Sequence, residues 1–508
     1  MHPMSFADLL AADPGLPAFR LDHHSATRAE LLLASRRAAT RLDALGLRRG
    51  DAVALWLPDG GIWLQLLFAA ARLGLLVVPI STRMREAEAR SLVEISRAKL
   101  LFVPKVFLGY DYPRAASAIR AAEPALGTVV EVDVERRFLW DDAEPCDGGD
   151  GGPDDPLCTF STSGTTGRPK LAVHAQAGIR THACNVAAFA GMRAGDATLC
   201  TLPLAGVFGF VQALASIAGG ATCVFLPVFD PQAAAFAIEQ HGVTHFYGSD
   251  TMFAPVLAVK DVSLASWRHG GLADFGGLSR QVVEQAEAAW GVRLAGLYGM
   301  SECFALISFG DVNAPIDARC AAGGVPIDPA IGFRIADPDT GALRAPGEHG
   351  ELQLRGYNVM RGYLGNDEAS AAAFTDDGWL RTGDLAVAEG GGFRFLARLR
   401  DTLRLSGYLV DPSEIEATLC AHPAVAAAQV VGAWREGVGD VAVAFAVCRA
   451  PVDEASLLEH CRASVANYKV PKRIVFVDDF PRGQGPNGAK ILKTALREMA
   501  AARLADPA

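Results

Sequence analysis

Apolar and polar positions along this chain follow two periods in turn. Residues 281–290 repeat polar and apolar side chains at helical spacing, and 292–297 follow as a short apolar run of strand length. Two stretches, 62–80 and 202–229, approach the length of a membrane span. Gln65, Arg72 and Gly74 interrupt the first, and Gln212, Gly219 and Gly220 the second. Each therefore reads as a buried helix, a glycine break and a short apolar strand (75–80 and 222–226), the rhythm of a sheet covered by helices on both faces. No membrane-inserted segment is expected. The alternation continues to about Val325 and predicts parallel sheets with crossover helices.

The pattern then changes twice. Residues 347–363, GEHGELQLRGYNVMRGY, shorten into strands and turns and suggest a small β-rich unit. Beyond Arg398, residues 414–419 and 455–464 read as helices and 424–432, 441–447 and 474–477 as strands, a small α+β domain of its own. The Gly/Asp-rich piece 146–155 reads as an exposed connector, and no internal repeat is present. The fold class expected is α/β: a large N-terminal domain (1–397) of two parallel-type α/β subdomains plus the β-rich subdomain, and a small mobile α+β C-terminal domain (398–508).

Composition narrows the function. A chain of 508 residues exceeds one core, and 50% hydrophobic with 20% charged residues fits a globular protein. A net charge of −10 without a Lys/Arg run argues against nucleic acid as a partner, so an anionic ligand must be held by local donors. The ten cysteines form no C-x-x-C pair and the eleven histidines no H-E-x-x-H spacing. With no signal-like start in MHPMSFADLL, reduced thiols in the cytoplasm are expected.

One loop stands out, STSGTTGRPK at 161–170. Its glycines allow close backbone approach, and its hydroxyl and amide donors converge as phosphate oxygens require. Arg168 and Pro169 stand between Gly167 and Lys170, so it is not the P-loop signature. On composition alone it fits an ordinary surface loop equally well.

Other stretches give the loop a context: LRRGDAVALWLPDG (47–60), LLVVPIS (75–81), LYGMSE (297–302), GELQLRG (350–356), WLRTGDL (379–385), ARLRDTLRLSGYLVDPSEIE (397–416), YKVPKRIVFVD (468–478) and NGAKILK (487–493). In this order and over nearly the whole chain, they resemble the motifs of the adenylate-forming superfamily. That group includes acyl- and aryl-CoA synthetases, the adenylation domains of peptide synthetases, and luciferases. The resemblance implies an ATP- and Mg²⁺-dependent enzyme that makes an acyl-adenylate and passes the acyl group to the thiol of coenzyme A, with its active site between the two domains.

Residue by residue, the resemblance implies that Thr162, Ser163, Gly164, Thr165, Thr166, Gly167 and Lys170 cradle the β- and γ-phosphates, with Thr165 counted among the catalytic groups. Glu302 holds Mg²⁺, and Gly299, Met300 and Ser301 flank it at the nucleotide. Gly276, Gly277 and Tyr298 border the adenine. Asp384 accepts from the ribose hydroxyls, with Arg398 as a second ribose contact. Lys490 bridges the substrate carboxylate and the α-phosphate. Arg400 matches the hinge and Gly407 the thioester-stage motif. Ala205, Gly206, Val207, Phe208, Phe210 and Asp250 fall at the acyl pocket, where Asp250 is expected rather to cap the following helix.

Some positions depart from the family pattern. Ala205 and Gly206 stand where a gating ring is frequent, Ala397 precedes Arg398 in place of glycine, Ala489 separates Gly488 from Lys490, and Ser161 replaces a frequent tyrosine. The open gate and the absence of an aspartate in 204–210 imply a bulky apolar acid and not an amino acid. Two rival readings remain: an enzyme loading an acyl carrier protein, and a catalytically idle nucleotide- or acyl-binding homologue.

Overall fold

The computed structural model describes residues 5–22, 24–149, 151–162, 168–275, 277–399, 402–405, 408–435, 439–465, 467–485 and 488–505. The chain divides into two compact units. One comprises Met1–Gly332 with Leu354–Leu380, the other Phe333–Gln353 with Arg381–Ala508. The fold class is α/β with parallel-type sheets, a large N-terminal part and a small C-terminal one, as the sequence pattern leads one to expect.

The larger unit holds two mainly parallel sheets. One orders Thr128–Val132, Leu100–Pro104, Ala52–Leu55, Leu76–Pro79, Pro156–Thr162 and Lys170–Ala175, with only the last pair antiparallel. The other orders His245–Phe246, Ala197–Cys200, Thr222–Phe225, Pro17–Leu21 and His24–Thr27, again antiparallel only at the last pair. The two near-membrane-length stretches resolve as the sequence suggests. Helix Gly61–Leu73 ends at Gly74 (φ 66°) and leads into Leu76–Pro79; helix Val207–Gly219 ends at Gly220 (φ 88°) and leads into Thr222–Phe225. Left-handed φ is where glycine ends a helix at least cost. Both helices are buried nearly all round, as expected of helices that are predominantly apolar on every face. No described helix is long and apolar enough to cross a membrane.

A further set of strands in this unit carries the site. Gly248–Ser249, Gly271–Ala273 and Ala295–Tyr298 are parallel neighbours, followed by antiparallel Ser308–Phe309 and Gly323–Pro326. Helix Ser279–Trp290 supplies the crossover between the second and third of these strands.

In the smaller unit, Leu380–Glu389 pairs antiparallel with Gly392–Arg398, and His349–Arg355 lies beside the former in sheet order. The stretch 347–363 thus contributes one strand of a β-rich layer, and its turns after Gln353 count with the larger unit. Farther on, Val425–Arg435 and Gly439–Cys448 form an antiparallel ribbon joined in parallel by Arg473–Phe476. Helices Pro412–Cys420 and Glu454–Ser464 cover it around Ile415, Leu419, Leu457 and Cys461.

Candidate functional site

Strand Ala295–Tyr298 ends at the carboxyl edge of its sheet, and the chain turns at once through Gly299, Met300, Ser301 and Glu302. This turn is tightly built. Gly299 admits no side chain, because a Cβ there would lie 2.4 Å from the Cα of Ala305. Phe304, Ala305 and Leu306 all take positive φ, 64°, 50° and 44°. Left-handed backbone costs a non-glycine residue roughly 1–2 kcal/mol, so three in succession need external support.

Two histidines provide it. The ring Nε2 of His174, in strand Lys170–Ala175, donates to the carbonyl of Ser301 at 2.8 Å. That of His182, in helix Gln176–Phe189, donates to the carbonyl of Ala305 at 2.8 Å. Both rings also pack on Phe304, with centroids 4.8 and 5.6 Å away. Burial holds both imidazoles down to about 4, so they are neutral near pH 7. Asn358 Nδ2 donates to the carbonyl of Cys303, and the amide of Met360 donates to that of Glu302, each at 2.8 Å.

The Glu302 side chain, in a residue 7% exposed, accepts at Oε1 from the Tyr363 hydroxyl, 2.9 Å away. Burial first, then the adjoining Glu302 charge, pushes the Tyr363 hydroxyl well above its ordinary value, so it remains a donor. On the same ring sits Lys170, its Nζ 5.0 Å from the centroid, a cation–π distance. The backbone explains the meeting: Leu171 and Val173 exchange hydrogen bonds with residues 361–364. Lys170 also stands opposite Thr162 across the hairpin that holds the phosphate-type loop. An ammonium and a carboxylate named from separate motifs therefore converge on one phenol that no motif had flagged.

Asp250 begins helix Asp250–Leu257, immediately after Gly248–Ser249. Within its own helix it accepts from the amide of Thr251. Fully buried, its carboxylate also reaches the turn after Gly271–Ala273, accepting from Phe275 N at 2.9 Å and Leu278 N at 2.7 Å. Gly277 in that turn has φ 75°. Tyr298 is buried at the end of its strand.

Ala205, Gly206 and Val207 form a half-exposed edge before and at the start of helix Val207–Gly219, while Phe208 is buried. Phe210 belongs to the core, its ring 5.8, 5.2 and 5.9 Å from those of Trp63, Phe160 and Phe304. The 203–206 segment is tied by Asp59, whose Oδ1 accepts from Leu204 N at 2.9 Å and whose carboxyl burial pushes up to about 7. Asp59 also borders a cleft of about 610 Å³ at the strand ends of the two large sheets, lined by Phe19, Arg20, Arg137 and Phe236 among others. That cleft contains none of the candidate site residues named from the sequence, and the Glu302 turn lies outside it.

In the smaller unit Asp384, 1% exposed, stands opposite Arg398 across paired strands, and Arg398 Nη1 lies 2.9 Å from its Oδ1. The amide of Asp384 donates to Thr382 Oγ1, which donates to the carbonyl of Leu352. Lys490 lies in strand Gly488–Ile491, opposite Gly483. Ser163, Gly164, Thr165, Thr166, Gly167, Gly276, Arg400 and Gly407 lie outside the described residues.

Sequence reasoning missed Tyr363, His174, His182 and Asp59. Only Tyr363 and Asp59 carried a usable signal, each lying inside a stretch already set apart by its pattern.

The sequence model described as AMP-binding enzyme matches residues 6–364, and that of the AMP-binding enzyme C-terminal domain matches 414–484. A 3-[(3aS,4S,7aS)-7a-methyl-1,5-dioxo-octahydro-1H-inden-4-yl]propanoyl:CoA ligase of Mycobacterium tuberculosis is 34% identical, over 98% of each chain. An indoleacetate–CoA ligase of Aromatoleum aromaticum is 32% identical, over 92% of this chain and 93% of that one. Among solved structures, ATP-bound MatB from Rhodopseudomonas palustris superposes with a TM-score of 0.86 at 26% identity, covering 98% of this chain and 99% of its own. The anthranilate CoA ligase AuaEII, in complex with anthranoyl-AMP, superposes with a TM-score of 0.84 at 25% identity, covering 99% and 98%.

The buried histidines carry a pH signature. Their folded values near 4 lie below the ordinary 6.5, so between these limits the unfolded chain binds more protons than the folded one. Their contribution to stability is complete above about 6.5 and is lost as pH falls toward 4. The thermal midpoint is expected to drop on acidification through this window. His182→Gln, which keeps a donor near the Nε2 position without titrating, is expected to flatten that slope. An unaltered slope in the variant would show that His182 does not contribute.

Proposed function

Because the chain belongs to the family of AMP-binding enzymes, we propose that it is an ATP-dependent carboxylic acid–CoA ligase acting on a bulky apolar acid through an acyl-adenylate. In the first half-reaction a carboxylate oxygen of the acid bonds to the α-phosphorus of ATP, and the bond from that phosphorus to the bridging oxygen breaks, releasing pyrophosphate. In the second, the coenzyme A sulfur bonds to the acyl carbon, its proton is lost and AMP leaves. The observation that carries this reading is the convergence of Glu302 and Lys170 on Tyr363 at a sheet's carboxyl edge, where open α/β sheets take ligands.

Each group has a proposed task. Lys170, with Thr162 and the loop residues Ser163, Gly164, Thr165, Thr166 and Gly167, meets charge that grows on the leaving pyrophosphate. Glu302 fits a Mg²⁺ ion: Tyr363 occupies Oε1, and among the described residues Oε2 takes no hydrogen bond. No cluster of three or more metal-ligating side chains occurs among the described residues, and Mg²⁺ suits a single carboxylate completed by phosphates and water. When bound, the ion supplies positive charge to the phosphate oxygens. Tyr363 fixes the rotamer of Glu302 and keeps Lys170 close without an ion pair that would neutralise either. Asp384 accepts from the ribose hydroxyls, with Arg398 beside it. Gly276 and Gly277 border the adenine together with Tyr298. Lys490 bridges the acid's carboxylate and the α-phosphate, and Arg400 and Gly407 serve the change to the thioester stage near the 397/398 boundary. A cytoplasmic location accords with ten cysteines that are all free.

Substrate size is supported by the small side chains and half-exposed backbone at Ala205 and Gly206, beside Val207. The relatives named above for a substituted indenyl propanoyl group and for indoleacetate accord with it.

Acid-dependent exchange of labelled pyrophosphate into ATP, run over acids of graded size, tests the proposal. Ring-bearing acids are expected to exceed acetate and propionate in kcat/KM; the reverse order would refute the pocket reading. Gly206→His is expected to cost large acids about tenfold or more, since size discrimination is worth about 1–3 kcal/mol, and equal losses for all acids would deny a pocket role. A product formed only with a holo carrier protein, and never with coenzyme A, would replace the proposed acceptor.

Glu302→Gln and Asp384→Ala are both expected to suppress adenylation, by about 10²-fold where a transition-state contact is lost. Only the Glu302 variant should require markedly more Mg²⁺, and superimposable metal titrations for the two would undo the assignment. Lys490→Ala is expected to lose adenylation by a similar factor yet still convert supplied acyl-adenylate to thioester, because its charge serves only while phosphorus is attacked. Retained adenylation in this variant would shift the role to Lys493.

A further inference from the structure

Gly248–Ser249, Gly271–Ala273 and Ala295–Tyr298 run parallel, with Ser249 opposite Ala273 and Leu272 opposite Gly296. Asp250, Asp274 and Gly299 therefore leave the sheet along one edge. Asp250 is fully buried, and an isolated buried carboxylate is costly unless donors surround it. Here they are backbone amides: Thr251 and Phe275 donate to Oδ1, both at 2.9 Å, and Leu278 to Oδ2 at 2.7 Å. Two of the three belong to the neighbouring turn and not to Asp250's own helix.

The same turn is pinned from its other side. Asp274 Oδ1 accepts from Gly277 N at 2.8 Å. Burial of the Asp274 carboxyl and then the Asp250 charge push it up to about 6, as expected of a buried carboxyl beside another. The turn thus has three of its amides fixed by two acidic side chains. Gly277, at φ 75°, has nothing within 4 Å of the place a Cβ would occupy. Its backbone faces open space, which gives a flat ligand room to lie against it.

We infer that Asp250 is a positioning residue for the nucleotide: by holding Phe275 N and Leu278 N it sets the shape of the turn against which the adenine lies. This rests on the reading of Gly276 and Gly277 given under Proposed function. Asp250 touches no ligand in this account; it acts through the turn, with Asp274 as its partner.

The test is equilibrium titration of the full-length protein with ATP, GTP and inorganic tripolyphosphate, the last having no base. Asp250→Asn keeps the shape but turns an NH₂ toward one amide, leaving that donor unsatisfied, worth about 1–3 kcal/mol or roughly tenfold or more. The Kd for ATP is expected to rise about tenfold and the preference for ATP over GTP to shrink. The Kd for tripolyphosphate should stay within about twofold, because a base-free ligand does not sense the turn. Equal weakening of ATP and tripolyphosphate would mean a merely structural role and overturn the inference. Gly277→Ala, strained at positive φ, is the reference arm and is expected to weaken ATP in the same selective way. If it does while Asp250→Asn binds ATP normally, the positioning role is refuted and the turn's role stands; if Gly277→Ala leaves ATP binding unchanged, the adenine reading itself fails. Should Asp250→Asn not fold by circular dichroism, Asp274→Ala, which strips the acceptor from Gly277 N, is expected to weaken ATP selectively, and unchanged affinity would overturn the inference.

Discussion

Three successive left-handed residues, Phe304, Ala305 and Leu306, are the constraint on which this site depends. The chain leaves its strand at Tyr298, must place Glu302 at the sheet's edge, and returns as antiparallel Ser308–Phe309 within a few residues. The path taken between them uses three left-handed residues, and strain of this kind persists only where the surroundings over-determine it. Here they do so twice over. Phe304 is clasped by His174, His182, Phe160 and Phe210, and the carbonyls on either side of it are held by the two neutral imidazoles. Protonating either ring would put a charge into an aromatic core, and the cost of burying it opposes the fold that supports the turn.

The same logic governs the acidic groups. Asp59, Asp250 and Glu302 are all buried, and each is stabilised by a directed donor: Leu204 N, the amides of the 275–278 turn, and the Tyr363 hydroxyl. None of these interactions is a surface ion pair, the kind that contributes little. They fix loops to the strands they follow, and the loops are where the sequence places the chemistry.

Much of the fold was legible because the signals were local. Glycine at 74 and 220 ends a buried helix where the sequence pattern breaks, and the strand that follows begins at Leu76 or Thr222. Glu302 and Lys170 were legible because residue type and neighbours agree. What could not be read was which groups meet across distance. Tyr363 lies 61 residues from Glu302, and nothing in periodicity joins them. His174 and His182 look like ordinary polar interruptions of a strand and a helix. Phe210, named from its apolar segment as a pocket residue, is buried among the rings of Trp63, Phe160 and Phe304, which come from other parts of the chain. Asp250 was read as a local cap, since its two distant partners belong to another connection.

The ring cluster of Trp63, Phe160, Phe210 and Phe304 has an evolutionary consequence. Phe210 projects from the helix behind the substrate edge, and Phe304 is the keystone of the strained turn beside Glu302. A change in the size of Phe210 would therefore disturb the turn that carries Glu302. On the proposed reading, lineages that explore new acids would be channelled toward half-exposed positions such as Ala205 and Gly206, which lie outside that ring cluster. On that reading, a change at this edge would alter the acid accepted while the ring cluster, and the turn it supports, stays fixed.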